Sequence, residues 1–366
     1  MSDNKKIRVG ITQGDINGVG YEVILKALED ARMLELCTPV IYGSAKIAAF
    51  YRKAMNLAPV SMTQVASGAE AADNQVNIIN VIPEDTRVDP GQSTQVAGTA
   101  SFTALERAVA DLTAGDIDVL VTAPINKNNI QSETFNFAGH TEYLESSLAR
   151  DGEKALMILC NDLMRVALVT THLPVGKVAD AITTEVIVDK LTTFNDSLKR
   201  DFRVTAPRIA VLSLNPHAGD NGLIGSEEAD VIAPAIKDAG DKGVLCFGPY
   251  GADGFFGSGA YRSFDGILAM YHDQGLAPFK LLAMDSGINF TAGLPYVRTS
   301  PDHGTAYDIT GKGEASAESM REAIYKALDI YRNRQSWDSS HRNPLRRLYV
   351  EKRRDDVTLD LSKSDD

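Results

Sequence analysis

The sequence predicts an α/β fold with mostly parallel sheets, divided into about two domains. Short apolar runs rich in β-branched residues alternate with amphipathic helical stretches, which is the order found in βαβ units. The run IDVLVTAPI at 117–125 is apolar almost throughout, as expected for a strand that is covered on both faces. The chain has 366 residues, which is long enough for two domains with separate cores.

The predicted elements follow one another in a strand–helix order. Strands are predicted at 7–12, 39–43, 76–82 and 117–125, and helices at 21–34, at 45–55, in a long stretch that ends near Thr113 and at 318–333. One pair of strands differs, because 154–160 and 163–171 are separated only by the turn-forming residues Asn161 and Asp162. That spacing predicts a β-hairpin, so we expect part of the sheet to be antiparallel.

The composition excludes several classes of function. The net charge of −12 argues against general affinity for nucleic acids or anionic membranes. Cys37, Cys160 and Cys246 are far apart, which is typical of reduced thiols in a cytosolic protein. The first residues lack the apolar core of a signal peptide, and no apolar run has the length of a membrane span. We therefore expect a cytoplasmic protein.

Three of the six histidines stand just after apolar strands. His172, His217 and His272 each lie one to five residues beyond a predicted strand. Ligands of open α/β sheets gather at the carboxyl ends of strands, so these side chains are expected to meet there. Three neutral imidazoles can hold a divalent metal and leave positions open for a substrate. A structural hydrogen bond remains the alternative for each histidine alone, and no H-x-H or H-x-x-x-H spacing favours the metal.

The segment GDINGVG at 14–20 lies between the first strand and the first helix. Its backbone amides either hold an anion or form a plain tight turn. The spacing G-x-x-x-G-x-G is not the G-x-G-x-x-G of dinucleotide-binding folds. The second strand is followed by Ser44 rather than by an acid that would hold a ribose. An ordinary Rossmann cofactor site is therefore not expected here.

Polar residues in apolar or Gly-rich surroundings are candidates for binding an anion. Lys280, Asn289 and Arg298 would form a phosphate or carboxylate clamp, although each alone is equally consistent with a solvated side chain. His140 and Thr141 precede a helical stretch, where Thr141 is either a ligand or a helix cap. These residue types predict a small anionic substrate.

The segment FGPYGADGFFGSGAY at 247–261 is rich in glycine and aromatic residues and has no periodicity. A segment of that length without regular structure is usually functional or mobile in a compact domain. Asp253 within it is a candidate acid of the site, and an Asx-turn is the alternative explanation.

Taken together, these segments resemble a known enzyme family. THLPVG, LNPHAGDNG, AMYHDQGLAPFK and GLPYVRTSPDHGTAYDITG, with TAPINK and GHTEYL, are similar to the signatures of 4-hydroxythreonine-4-phosphate dehydrogenase, an enzyme of pyridoxal phosphate biosynthesis. The resemblance extends from about Ile7 to Arg332. The segment HGTAYDITGKG at 303–313 is also similar to the cofactor loop of isocitrate and isopropylmalate dehydrogenases.

The resemblance implies two α/β/α domains of the isocitrate and isopropylmalate dehydrogenase type, with a cleft between them, in a homodimer. The first domain would comprise 1–128 and 300–334, and the second, with the dimer interface, 129–299. Residues 335–366 would form a polar C-terminal extension. A divalent metal (zinc, magnesium or cobalt) would be held by His172, His217 and His272 drawn from both subunits.

The resemblance also implies the reaction, which is NAD-dependent oxidation of 4-phosphohydroxy-L-threonine with decarboxylation to 3-amino-2-oxopropyl phosphate. The residues that match the family's substrate-binding positions are His140, Thr141, Lys280, Asn289 and Arg298. His303, Gly304 and Thr305 match the cofactor loop. Asp273, Lys280 and Asp253 are candidates for acid–base catalysis, and their roles are not divided at this point.

The sequence departs from the family pattern in two loops. GDINGVGYE stands where the family has G-D-P-A-G-I-G-P-E, and GPYGADGFF where it has G-P-x-P-A-D-T-x-F. One alternative is therefore an enzyme that oxidises a threonate or erythronate 4-phosphate. The others are a three-histidine zinc hydrolase, against which HGTAYDITGKG argues, and a metal- or phosphate-binding module without turnover, against which Asp273 and Lys280 argue.

Overall fold

The described residues, 6–283 and 286–343 of a computed structural model, form one sheet of twelve strands with helices packed against it. The strands are β1 Ile7–Thr12, β2 Cys37–Gly43, β3 Met62–Gln64, β4 Val76–Asn80, β5 Val119–Thr122, β6 Leu156–Cys160, β7 Arg165–Leu168, β8 Arg208–Leu212, β9 Leu245–Tyr250, β10 Gly266–Ala269, β11 Ile288–Ala292 and β12 Arg298–Pro301. The α-helices are α1 Gly20–Ala27, α2 Met33–Leu36, α3 Ala45–Ala54, α4 Gln95–Ala114, α5 His140–Leu148, α6 Val178–Ala181, α7 Thr184–Arg200, α8 Ala233–Asp241, α9 Ala252–Gly257, α10 His272–Ala283 and α11 Glu318–His341.

The strand order is β3-β4-β2-β1-β5-β12-β11-β6-β7-β10-β8-β9. The six strands from β3 to β12 are mutually parallel, and β7, β10, β8 and β9 form a second parallel group. Between the two groups, β11 is antiparallel to both of its neighbours. The predicted α/β class with mostly parallel strands is confirmed. The division into two domains stays a prediction.

The hairpin predicted around Asn161 is confirmed. Strands β6 and β7 pair antiparallel, with Cys160 opposite Arg165. The Asn161 side chain closes the turn, because its Oδ1 accepts hydrogen bonds from the backbone N–H groups of Leu163 at 2.9 Å and Met164 at 3.1 Å. An Asn side chain that bonds the backbone two residues ahead mimics a backbone turn.

The central strands are buried on both faces, as their continuous apolar character predicts. In β5, Val119 and Val121 belong to the apolar core on one face of the sheet, whereas Leu120 belongs to a second core on the other face. All three side chains are fully buried. Successive side chains of a strand point to opposite faces, so a strand with no polar residue needs cover on both sides.

The Gly-rich turn at 14–20 is a packed structural turn. The Asp15 carboxylate is buried and accepts hydrogen bonds from Asn17 N at 2.9 Å, Asn129 Nδ2 at 2.8 Å and the Tyr307 hydroxyl at 2.7 Å. The Gly18 backbone lies so close to Thr305 that an added Cβ would stand 2.8 Å from its carbonyl oxygen. Of the two alternatives for this segment, the structure favours the tight turn, which fastens the start of α1 to the chain around Thr305.

The unusual residues of this turn are also structural. Ile16, Asn17 and Tyr21 are fully buried. The Asn17 side chain donates to Gln92 O at 2.9 Å, and the Tyr21 hydroxyl accepts from Ser44 N at 2.7 Å. Burial raises the pKa of Tyr21, so its hydroxyl stays protonated. These departures from the family pattern therefore affect internal packing.

Helix α11 is longer than predicted and runs through residues 335–341, the first part of the predicted extension. Arg334 is buried within it, and its Nε donates to Asp201 Oδ1 at 2.6 Å. Residues 344–366 lie outside the described part of the chain. Within residues 6–283 and 286–343, no helix combines the length and the apolar character needed to cross a membrane.

The ion pair between Arg334 and Asp201 is expected to stabilise the fold strongly. Arg334→Met would leave the Asp201 carboxylate buried and unpaired, which costs about 3–5 kcal/mol. Arg200→Met is the control, since the Arg200–Asp338 pair is largely exposed, with side chains 37% and 54% accessible, and such pairs contribute about 1 kcal/mol or less. Urea unfolding of both variants checks this. Equal loss of stability in the two variants would contradict the expectation.

Candidate active site

The three predicted metal ligands follow three neighbouring parallel strands. His172 comes after β7, His272 after β10 and His217 after β8, and these strands lie side by side in the order β7-β10-β8. The two chain segments that follow β7 and β10 remain hydrogen-bonded to each other beyond the ends of the strands, since Thr170 N donates a hydrogen bond to Met270 O at 3.1 Å. As a result, the rings of His172 and His272 have their centroids 6.3 Å apart.

Helix α10, which begins at His272, packs directly on the sheet. A Cβ added to Gly275 would stand 2.8 Å from a methyl group of Val166 in β7 and 3.0 Å from Ala269 in β10, so the close approach requires glycine. Gln274 holds the preceding turn, since it accepts from Met270 N at 2.7 Å and donates to Ser213 O at 2.6 Å. These contacts determine where His272 and the rest of α10 lie.

His217 lies in a different environment. It belongs to a turn at 216–222 in which His217, Ala218, Asp220 and Asn221 all have positive φ. Non-glycine residues in this region are strained, and such strain is concentrated at functional sites. The buried Glu228 carboxylate anchors the turn, because it accepts a hydrogen bond from Asn215 N at 2.7 Å. Gly251 lies close to both His217 and the predicted acid Asp253. A Cβ added to Gly251 would stand 3.9 Å from His217 Cα and 3.5 Å from Asp253 Oδ1, so these two residues are near each other.

The two paired histidines suit a metal, but they are incomplete as a site. His172 Nδ1 lies 3.1 Å from Glu142 Oε1, and His272 Nδ1 lies 2.7 Å from Asp273 Oδ1. A carboxylate on one ring nitrogen orients the imidazole so that the other nitrogen can face a metal, which is the usual arrangement around metals. For His172 that other nitrogen, Nε2, is contacted by Lys127 Nζ at 2.9 Å. In the described part of the chain, however, no three His, Cys, Asp or Glu side chains are grouped so that they could hold a metal. A metal held by these two rings would need a further donor.

Lys127 is a residue of the site that the sequence prediction did not assign. Its Nζ lies 2.9 Å from His172 Nε2, the nitrogen that faces away from Glu142. The Lys127 side chain also lies beside the start of α5. Its Cε would be 3.6 Å from a Cβ added to Gly139, the residue before that helix. The only signal in the sequence was its position in TAPINK, which follows β5.

Arg298 provides a buried positive charge with no carboxylate bonded to it. Its side chain is buried, and its donors bind only hydroxyl groups: Nη2 and Nε reach Thr122 Oγ1 at 2.6 and 3.1 Å, and Nη1 reaches Thr291 Oγ1 at 3.2 Å. Burial lowers the pKa of Arg298 to about 9, so the group is still cationic at neutral pH. The nearby Glu142 carboxylate opposes part of this lowering. A buried cation whose own hydrogen bonds in the described chain go to hydroxyl groups can still bind an anionic ligand.

Several buried polar atoms on or beside the predicted site residues also lack partners. Within the described residues, His140 Nε2, Glu142 Oε2, Asn289 Oδ1 and His303 Nε2 are buried and make no hydrogen bond. Burial, together with the positive charges of Arg298 and Lys127, holds the pKa of His140 well below its ordinary value. Unsatisfied buried groups are rare in native proteins, and four of them on or beside predicted site residues indicate a place for a polar ligand.

Helix α5 carries two of the predicted substrate residues. It begins at His140, its N-cap is Gly139, and no side chain bonds the first turn. The alternative in which Thr141 caps the helix is therefore wrong. Thr141 instead lines a cavity of about 440 Å³, together with Glu142 and Thr171.

Lys280 is held by a residue that the sequence prediction missed. Lys280 Nζ lies 3.2 Å from Asp302 Oδ1 and 3.4 Å from its carbonyl oxygen. Burial raises the pKa of Asp302, while the Lys280 ammonium opposes that rise. Asp302 N in turn donates a hydrogen bond to Ser319 Oγ at 3.1 Å. Its position between the predicted residues Arg298 and His303 was the available signal in the sequence.

The predicted cofactor residues lie beside the N-terminal turn. Val19 N donates to Thr305 O at 3.0 Å, and His303 Nδ1 contacts the carbonyl oxygen of Gly304 at 3.0 Å. A cavity of about 180 Å³ opens here, lined by Val19, His303, Ala306, Ile309, Ala315, Ser316 and Ser319. Burial lowers the pKa of His303, so its ring is neutral and its Nε2 is available to a ligand.

With this geometry established, comparison with known proteins gives the family. The profile of the family described as pyridoxal phosphate biosynthetic protein PdxA matches residues 35–327. The chain belongs to the PdxA family. The matched part contains all the predicted site residues. The PdxA-family resemblance noted in the sequence motifs is thereby confirmed.

Individual relatives agree with this assignment. A protein from Bacteroides thetaiotaomicron named 4-hydroxythreonine-4-phosphate dehydrogenase is 58% identical over 366 residues, which is 100% of each chain. Residues 335–366 of this PdxA-family chain therefore have a counterpart there. A protein from Oceanobacillus iheyensis, named "Putative D-threonate 4-phosphate dehydrogenase", is 36% identical over 333 residues, which is 89% of this chain and 98% of its own.

A solved structure has the same fold. The crystal structure of 4-hydroxythreonine-4-phosphate dehydrogenase from Klebsiella pneumoniae is 34% identical, with a TM-score of 0.77, and the match covers 89% of this chain and 100% of that one. The sheet described above is thus the architecture of the PdxA family.

Acid is expected to destabilise the protein through His140. Because its pKa in the folded chain is lowered, the unfolded chain binds a proton below about pH 6.5 that the folded chain does not. The stability is therefore fully present above that pH and falls below it by up to about 1.4 kcal/mol per pH unit. Urea unfolding of the wild type and of His140→Asn at about pH 7.5 and about pH 5.5 checks this. Between these two pH values, the free energy of unfolding should fall by about 1.4 kcal/mol less in His140→Asn than in the wild type. The same loss in both proteins would contradict this role for His140.

Proposed function

We propose that this protein oxidises 4-phosphohydroxy-L-threonine with NAD and that the product loses carbon dioxide to give 3-amino-2-oxopropyl phosphate. The observation that carries the proposal is the buried cation of Arg298, which binds only Thr122 and Thr291 hydroxyls. Glu142 links Arg298 to the paired histidines, because it influences the charge of Arg298 and contacts His172. The 58% identical relative of this chain is named for this reaction. A phosphorylated amino acid has the anionic groups that such a site requires.

In this proposal, Arg298 and Lys280 bind the phosphate and carboxylate groups of the substrate. Arg298 is fixed by its three hydroxyl contacts and Lys280 by Asp302, so both cations are positioned before the substrate arrives. Preorganised charges cost little reorganisation when the substrate binds. His140 Nε2 and Asn289 Oδ1, which lack partners in the described chain, complete the polar contacts, with Thr141 beside them.

His172 and His272 would hold the divalent metal, with zinc, magnesium and cobalt as the candidates. When bound, the metal would supply a Lewis acid for the substrate hydroxyl. Glu142 and Asp273 keep the two imidazoles in the required orientation through Nδ1. The third donor is proposed to be the partner subunit's His217, since the described residues of one chain contain no complete group.

The reaction also needs a base for the hydroxyl proton and an acid that returns a proton to the carbon that loses carbon dioxide. Asp273 and Lys280 lie on α10 with His272 and are proposed for these steps. Asp253, near His217, would join them from the partner subunit. NAD would bind at His303, Gly304 and Thr305, with part of the cofactor in the adjoining cavity of about 180 Å³, and would accept the hydride.

A homodimer that shares the site is supported by the apolar surface around the histidines. Leu173 and Val175 follow His172, Leu223 and Ile224 follow His217, and Leu281 and Leu282 follow Lys280. All six side chains are exposed, and those of Val175, Leu223 and Leu281 are at least 80% accessible. Exposed apolar residues concentrated in one region mark an interaction surface. A second copy of this chain would cover them and bring its own His217 and Asp253.

A threonate or erythronate 4-phosphate is the second candidate substrate, and the relative named for D-threonate 4-phosphate favours it. These sugar acids carry the same phosphate, carboxylate and hydroxyl groups and differ in having a hydroxyl where the amino acid has an amine. The changed turn at 14–20 does not favour either one, since its unusual residues are buried in the scaffold. The two candidates share the proposed mechanism.

Reduction of NAD measured by absorbance tests the reaction. The purified protein with NAD, a divalent metal and 4-phosphohydroxy-L-threonine is expected to form NADH, and a chelator should abolish the signal. Arg298→Met should lower kcat/KM by a factor of about 100 or more, because one charged contact is worth roughly 1.5–3 kcal/mol and a buried site is left incomplete. Absence of NADH with every phosphate substrate, in folded and metal-loaded protein, would refute the redox assignment.

Mixing two inactive variants tests the shared site. His172→Ala and His217→Ala are each expected to be inactive alone. If His172 and His272 combine with His217 of the other chain, half of the randomly mixed dimers contain one intact site, so the mixture should recover about a quarter of wild-type activity. Mixing His172→Ala with His272→Ala is the control and should recover none. Recovery in neither mixture would contradict sharing between subunits.

A further inference from the structure

A cavity of about 390 Å³ lies between the end of α7 and the last turns of α11. Lys199 of α7 and Arg203, which follows that helix, contribute to its lining, as do Trp337 and His341 of α11. No Asp or Glu of the described chain lines this cavity. Because the protein carries a net charge of −12, a cavity whose charged lining groups are all basic stands out from the rest of the surface.

The two cations of this cavity are not neutralised by the described chain. The neighbouring acid Asp338 is already paired with Arg200, at 2.7 Å. Lys199 and Arg203 make no ion pair with a carboxylate of residues 6–283 and 286–343. A guanidinium and an ammonium that line one cavity without a counter-charge attract an anion, and both groups bind phosphate.

The segment that carries Arg203 is held in a strained conformation. Arg203 has a φ of 58°, in the left-handed region that residues other than glycine rarely adopt. The backbone on both sides is fixed, since Val204 N donates to Leu198 O at 2.9 Å and Asn333 Nδ2 of α11 donates to Asp201 O at 2.7 Å. Strained residues of this kind are concentrated at functional sites. The Arg203 backbone is therefore fixed in place before any ligand arrives.

Trp337, the single tryptophan of the chain, gives the cavity an aromatic wall. The His341 ring is stacked with it, with ring centroids 3.8 Å apart and an angle of 20° between the planes. Thr205, Ser336 and Ser340 add hydroxyl groups to the lining, and hydroxyl groups donate hydrogen bonds to phosphate oxygens. Aromatic rings prefer to pack against other aromatic rings, so these walls suit a ligand that carries a flat ring beside its anionic group.

We propose that this cavity is a second small-molecule site, which binds a phosphate ester with a flat ring. Lys199 and Arg203 hold the phosphate, and the ring packs against Trp337 and His341. The site is separate from the proposed active site, because it shares no lining residue with the cavities at Thr141 and at His303. It does not depend on the proposed reaction.

Tryptophan fluorescence of the full-length protein tests the site, because Trp337 is the only tryptophan that can respond. Phenyl phosphate is expected to change the emission in a saturable way, with half-saturation on the order of 1 mM or lower. Inorganic phosphate lacks the ring and should bind about threefold more weakly or worse. Benzyl alcohol has the ring without the charge and should give no saturable change.

Substitutions of the two cations locate the ligand. Lys199→Gln and Arg203→Gln should each weaken phenyl phosphate binding about fivefold or more, because each removes one charged contact. Arg332→Gln is the matched control, since Arg332 lies on α11 with a side chain 52% accessible and does not line the cavity. Its affinity should stay within about twofold of the wild type. Arg298→Met, which changes the proposed active site, should keep the fluorescence response.

Several outcomes would overturn the proposal. Absence of a saturable change in the folded wild type would refute the site. A response that survives Lys199→Gln and Arg203→Gln, or that Arg332→Gln weakens equally, would place the ligand elsewhere. Loss of the response in Arg298→Met would assign it to the proposed active site instead. Equal affinity for inorganic phosphate and phenyl phosphate would refute the role of the aromatic wall.

Discussion

The sheet and the proposed site both depend on the guanidinium of Arg298. Arg298 begins β12, and its donors bind Thr122 of β5 and Thr291 of β11. Those bonds cross the junction where the first parallel group meets the antiparallel strand. All the hydrogen-bond acceptors are neutral hydroxyls, and the nearby Glu142 carboxylate compensates the charge only in part, since burial still lowers the pKa of Arg298 to about 9. An anion bound beside this group would reduce the cost of burying its charge.

The other polar groups of the site follow from that charge. His140 stays neutral beside Arg298, since burial and the nearby cations lower its pKa. Lys280, the second cation, is already neutralised by Asp302, so Arg298 is the stronger anchor for an anionic group. Glu142 provides the opposite charge and also contacts His172.

The order of the strands explains why the site is divided. Neighbouring β7 and β10 bring His172 and His272 together, whereas the strained turn after β8 carries His217 to Asp253. The same three segments carry six of the exposed leucine, isoleucine and valine residues. A site completed by a second copy of the chain would give both the missing donor and the apolar surface a single explanation.

Local chemistry allowed much of the fold to be predicted. The alternation of apolar runs and amphipathic stretches was enough for the α/β class, and Asn161 with Asp162 was enough for the hairpin, because turn and strand preferences act between near neighbours. The long motifs likewise located His172, His217, His272 and Arg298. Lys127, Glu142 and Asp302 were missed as site residues, since nothing in their immediate sequence distinguishes a buried or bridging charge from a solvated one.

The sequence by itself determined the fold class, the family and the residue types available for chemistry. The tertiary structure alone decided which of those residues meet, since contacts such as Lys127 with His172 and Lys280 with Asp302 join segments far apart in the chain. It also decided that Asn17 and Tyr21 serve packing and that Thr141 is not a helix cap. The reason is physical: burial and charge compensation depend on what surrounds a side chain in space, and strand order, which sets those surroundings, is a property of the whole sheet.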